Sequence, residues 1–264
     1  MCPAATDLPP SSDVDGHEDK SSTTAPPSPP PCTPNDPICR AAYRHAHENL
    51  HPAILAHSLR VYTYARDISA SEATAYSEPH AVENTLLYVT SLFHDMGTSP
   101  RYDSDTESST TRFEIAGADA ALGFLSGPDI PDGDVLARLW GREVWLAIAL
   151  HTSPQIAERS SALARLLRLG VRIDFGGEGK VRMLDDLLAM GREDGAGAGA
   201  GGAKEVIART EREFPRDGIE KVLGDAVTDQ ALVHPEKAPM VSWPGVLLRS
   251  KRENMEWEGV NKAF

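Results

Sequence analysis

The 264-residue sequence predicts an all-α protein, and three observations carry that reading. Apolar residues recur at spacings of three, four and seven in one segment after another. No run alternates apolar and polar residues convincingly enough for a half-buried strand. Pro and Gly punctuate the periodic runs where helices start or stop.

The first 36 residues are rich in Pro, Ser, Thr and Asp, as in "TTAPPSPPPCTPNDP". Such a segment buries too little apolar surface to offset its chain entropy, so 1–36 is expected to be a disordered tail. One helical domain is expected over 40–250. In "HPAILAHSLRVYTYARDIS", Pro52 suits a first helical position, and Ile54, Val61, Ala65 and Ile68 share a face with His57. A second helix is expected from about Glu78 to Asp95, with Val82, Leu86, Val89 and Phe93 inward and Gly97 as its C-terminal stop. "RFEIAGADAALGFLSG" gives a third, with Phe113, Gly117, Ala120 and Phe124 on one side and small residues that permit close packing. "REVWLAIALHT" is apolar almost all round, which marks a central helix, and it ends in His151. "SALARLLRLGVRIDF" is amphipathic and ends in Asp174; "VRMLDDLLAM" and "KEVIARTEREF" follow, the latter stopped by Pro215. Between them "REDGAGAGAGGAK", 192–204, reads as a flexible surface loop. The polar run 98–112 reads equally well as a lid or as a plain surface loop.

Composition narrows the function. A net charge of −13 argues against binding a nucleic-acid backbone, which needs a concentrated basic face. No stretch reaches the roughly 18 apolar residues of a membrane span. The N-terminal segment has neither the basic nor the apolar region of a secretory signal. The three cysteines, Cys2, Cys32 and Cys39, all precede the core segments, which suits a reducing compartment. The expected location is the cytoplasm, with the nucleus not excluded. The expected partner is a small-molecule substrate rather than nucleic acid or membrane, and assembly into a homo-oligomer is left open.

The stretch "SLFHDMG", 91–97, poses a physical problem. An Asp is rarely buried without a partner, and an ionised carboxylate in an apolar site is costly unless paired or metal-bound. Three helices carry His57, His94 with Asp95, and Asp174 at or near their inner faces. Imidazole and carboxylate together suit a borderline divalent ion, zinc first, with iron or manganese as alternatives. A bound cation neutralises Asp95 and fixes His94.

The order H…HD…D, supported by "AHSLRVY" upstream and "RIDFGG" downstream, resembles the HD-domain superfamily of metal-dependent hydrolases from about Ala53 to Asp174. The resemblance implies an HD-type helical bundle with His57, His94, Asp95 and Asp174 as four metal ligands. "HSLRVYTYA", "LFHDMGT", "RFEIAGADAA", "EVWLAIALHT" and "FPRDG" are similar to their counterparts in the fungal cyanamide hydratase branch, over roughly 45–220. That branch implies addition of water to a nitrile-like carbon, cyanamide giving urea, on a single zinc ion. In that branch an acidic residue commonly follows the histidine matching His151; here the chain reads Thr152-Ser153-Pro154. It also departs beyond Arg216, at "HPEKAPMVSWPG".

On this reading Glu114 relays a proton, His151 orients substrate or water, and the Thr98 hydroxyl adds a substrate hydrogen bond. Two plainer readings stand beside these: Glu114 as an exposed first-turn carboxylate, and His151 as a C-terminal helix cation. Two other functions compete. One is an HD-type phosphohydrolase, with Arg60, Arg101 and Arg112 as the available cations. The other is a non-enzymatic, HD-derived binding protein.

Overall fold

Asn35-Asp36-Pro37 opens the first helix: the Asp36 side chain accepts from the Ile38 amide, and Pro37 takes a first-turn position that needs no donor. This helix, α1 (Pro37–Asn49), was not anticipated from periodicity, because its buried face is small: Ile38, Cys39, Ala42, Tyr43 and Ala46. The computed structural model describes residues 28–76, 83–102, 110–128, 130–189 and 202–254. The expected tail therefore lies outside the described residues up to 27. From 28 to 36 the chain runs in turns against the domain, with the Thr33 hydroxyl 2.9 Å from that of Tyr88.

The remaining helices are α2 (Pro52–Tyr76), α3 (Asn84–Phe93), α4 (Phe113–Leu125), α5 (Gly133–Leu150), the single-turn α6 (Ala157–Ser160), α7 (Ala162–Asp174), α8 (Lys180–Ala189), α9 (Gly202–Glu213), α10 (Ile219–Val233) and α11 (Trp243–Glu253). Among the described residues there is no strand, so the all-α expectation holds. None of these helices is long and apolar enough to cross a membrane. The Gly/Ala run lies outside the described residues as far as 201, and 202–204 begin α9. Of the polar run 98–112, residues 103–109 also lie outside them.

One apolar core joins α1 to α5 and α7 to α11. Helix α2 runs through it and packs on α3 and α7, while α4 packs on α5. Ile54, Val61, Ala65 and Ile68 are buried on the face that also buries His57. Helix α3 is buried from Thr85 to Phe93, which explains its lack of a polar face. It begins at Asn84 rather than near Glu78; Val82 lies outside the described residues. Helices α10 and α11 were also not anticipated, although Ser242, whose side chain accepts from the Gly245 amide, and Pro244 form a readable start signal for α11.

Gly97 corrects one expectation. It does not end α3 as a left-handed cap: α3 ends at Phe93, and Gly97 sits inside a 3-10 turn, Met96–Thr98. Its role is close approach. A Cβ there would lie 2.0 Å from the Phe113 carbonyl oxygen, and one at Gly117 would lie 2.9 Å from that of Phe93. These two glycines bring the turn after His94-Asp95 against the first turn of α4. Gly97→Ala is expected to cost about 3 kcal/mol, because the obstructing atoms are backbone. Gly123→Ala, where a Cβ meets nothing within 4 Å, should instead stabilise by about 0.5 kcal/mol. Urea unfolding of the two variants checks the contrast.

Candidate metal centre

His57 is in the second turn of α2, His94 and Asp95 follow α3, and His151 follows α5. Their burial is almost complete, at 0%, 0%, 1% and 2% exposure respectively. Each imidazole has its Nδ1 committed. That of His94 is 2.7 Å from the Ser91 carbonyl, that of His151 is 2.6 Å from the Ile148 carbonyl, and that of His57 is 2.6 Å from Asp174 Oδ2. A carbonyl or carboxylate oxygen accepts, so each Nδ1 carries a proton and each Nε2 presents a lone pair in the neutral ring.

Those lone pairs converge. His57 Nε2 is 3.2 Å from His94 Nε2. Asp95 Oδ2 is 3.1 Å from His94 Nε2 and 3.5 Å from His57 Nε2, while Asp95 Oδ1 is 3.5 Å from His151 Nε2. Acceptors facing acceptors in a dry pocket repel unless something positive lies between them. Asp95 Oδ2 is a buried oxygen with no hydrogen-bond partner, so the donor set fits a cation. His57, His94 and Asp95 offer ligand atoms within 4.8 Å of one another. The same crowding sets the charges. Burial works against ionised Asp95, yet His94, His151 and His57 outweigh it and hold the carboxyl well below its ordinary range. Burial likewise opposes charge on His94, but Asp95 and the Ser91 carbonyl raise its pKa. For His57 burial prevails over Asp174 and lowers it.

Asp174 departs from the expected fourth-ligand position. It stands behind His57, and all of its acceptor sites are in use. Oδ1 accepts from Arg60 Nε at 2.7 Å and from Arg216 at 3.0 Å. Oδ2 accepts from His57 at 2.6 Å and from Arg60 at 2.8 Å. Burial disfavours its charge, but Arg60 and His57 hold the carboxyl far below the usual value. A carboxylate so engaged fixes the tautomer and orientation of the imidazole in front of it.

Glu114 is not an exposed first-turn residue: it is fully buried. The Thr152 hydroxyl donates to its Oε1 at 2.6 Å, and Arg112 pairs with the same carboxylate. Thr98 donates its hydroxyl to the Asp95 carbonyl oxygen at 2.7 Å, so its proton holds the turn that carries Asp95. Phe175 and Phe113 wall the centre, with ring centroids 4.7 Å from His57 and 5.7 Å from His151. Arg60 is the residue whose role here was missed. It sits one turn after His57 on the same face, fully buried, and that spacing was the available signal.

A helical core that gathers imidazole nitrogens and one carboxylate around a cation-sized gap defines a metal-dependent enzyme of the hydrolase type. Residues 54–183 match the family model of the HD domain. HD domains bind divalent metals, and His57, His94 and Asp95 form a buried cluster here whose atoms suit such an ion. No curated protein matched the chain.

Proposed function

We propose that the centre holds one divalent ion, zinc first, on His57, His94 and Asp95, and that the protein adds water to a small, neutral, nitrile-like substrate such as cyanamide, giving urea. The ion's contribution is to acidify water toward a pKa of about 7 and to polarise the substrate. Three protein ligands leave a position for reactants, as catalytic zinc sites require. Asp174 keeps the Nδ1 proton on His57 and so keeps its Nε2 available. His151, with Nε2 facing the outer Asp95 oxygen, is placed to hold a proton at that atom and pass it to the substrate nitrogen. Glu114 supports the next residue through Thr152. Phe113 and Phe175 exclude bulk water.

One observation favours a neutral substrate over a phosphate ester. The arginines around the centre are already paired: Arg60 and Arg216 with Asp174, and Arg112 with Glu114. A phosphate would have to break these pairs to find a cationic partner. The resemblance of the local words to the cyanamide hydratase branch supports the same choice.

The test is elemental analysis of the purified full chain together with two assays, urea formation from cyanamide and phosphate release from a nucleotide panel. About one metal ion per chain with urea formation supports the reading. Phosphate release without urea formation moves the protein to the phosphohydrolase class. Metal well below one per chain, with neither activity, returns it to a binding role.

A further inference from the structure

A cavity of about 680 Å³ opens where α1, residues 101–102 and α4 meet, and no group of the metal centre lines it. Its volume is that of a small-molecule site. His45 and Tyr102 form one wall, joined by a 2.6 Å bond between His45 Nε2 and the phenol oxygen. The His45 ring stacks on Phe93 at 5.3 Å and leans on Phe124 at 5.6 Å. Burial, with Arg101 nearby, lowers the His45 pKa. Tyr102, bonded to His45, lies under the Arg101 guanidinium, 5.7 Å from its ring centroid.

The charges are unusual for this chain. It carries 39 acidic against 26 basic residues, yet neither Arg44 nor Arg101 makes an ion pair among the described residues. Among the described residues the Arg101 guanidinium donates to the Asn49 amide oxygen, at 3.3 Å. Two carboxylates also line the cavity, Glu48 and Asp119, and Asp119 accepts from the Trp145 indole at 2.8 Å. Ala41, Ala120, Phe124 and Ile130 give the space an apolar floor. A guanidinium fork matches a planar carboxylate, and Glu48 and Asp119 repel the single charge of a carboxylate less than the greater charge of a phosphate.

We propose that this cavity binds a small organic carboxylate, with its charge on Arg44 and Arg101 and its carbon body on the Ala41–Ala120–Phe124 floor. The site is independent of the metal chemistry, and so is its test. Isothermal titration of the full chain uses benzoate, with benzamide as the neutral isostere and inorganic phosphate as the alternative anion. Benzoate should saturate one site per chain, with both comparators at least about tenfold weaker. Arg44→Gln and Arg101→Gln, both at exposed positions, should each weaken benzoate about tenfold. Gly123 lines the cavity with open space where its Cβ would be, so Gly123→Leu should weaken benzoate at least as much without lowering the unfolding midpoint. The proposal fails if benzoate does not saturate, if benzamide or phosphate binds as tightly, or if the Arg44→Gln/Arg101→Gln double variant keeps full affinity.

Discussion

Asp95→Ala is expected to take metal from near one ion per chain to below about a tenth, and turnover to background. Among the described residues Asp95 is the sole anion that the three Nε2 atoms face, with its two oxygens between 3.1 and 3.5 Å from them. Without it a cation meets neutral nitrogens alone and loses its charge complement. Asp95→Asn keeps the volume and separates charge from packing: it should fold as the parent does and still lose metal. Thermal unfolding gives a readout apart from activity. At a free zinc concentration one hundred times the Kd, binding stabilises by about 2.7 kcal/mol, which for a domain of this size is roughly 5 to 10 °C. The parent should show that rise, and neither Asp95 variant should. A zinc-dependent rise of equal size in Asp95→Ala would remove this carboxylate from the ligand set.

How much of this was legible beforehand follows from what each feature depends on. His57 could be found because the helix period places it on a buried face, and His94 and Asp95 because they end an apolar run in which a buried Asp demands a partner. Gly117 could be read as a packing residue for the same reason as His57. The direction of each imidazole could not, since it rests on the Ser91 and Ile148 carbonyls and on a carboxylate 117 positions from His57. Asp174 stands behind His57 because Arg60 and Arg216 hold it there, and competition among donors for one carboxylate leaves no trace in spacing. Glu114 illustrates the converse. A first-turn acid is ordinarily solvated; here Gly97 draws the first turn of α4 against the core and buries it. Helix α1 was missed because small and polar residues dominate it, and α10 and α11 because no motif directed attention past Arg216.

Arg60 carries the largest expected effect on stability. Its guanidinium is fully buried, donates twice to Asp174, and caps the Phe214 and Pro215 carbonyls at 3.0 and 2.9 Å. Arg60→Leu removes all four bonds and leaves a buried carboxylate supported by His57 and by Arg216. Breaking such a pair from one side costs about 3–5 kcal/mol, well above the roughly 1 kcal/mol of an ordinary exposed pair. Arg60→Lys keeps the charge but not the fork, and should lose about half as much. Asp174→Asn tests the same network from the other side: it keeps an acceptor for His57 and should lower metal affinity 10- to 100-fold, as loss of a partner behind a ligand does. Chemical denaturation and zinc titration separate the two effects. If Arg60→Leu costs under about 1 kcal/mol, Asp174 has other support and is free to turn toward the metal. A loss near 4 kcal/mol with weakened zinc binding instead makes the arginine the anchor from which the geometry of His57 is set.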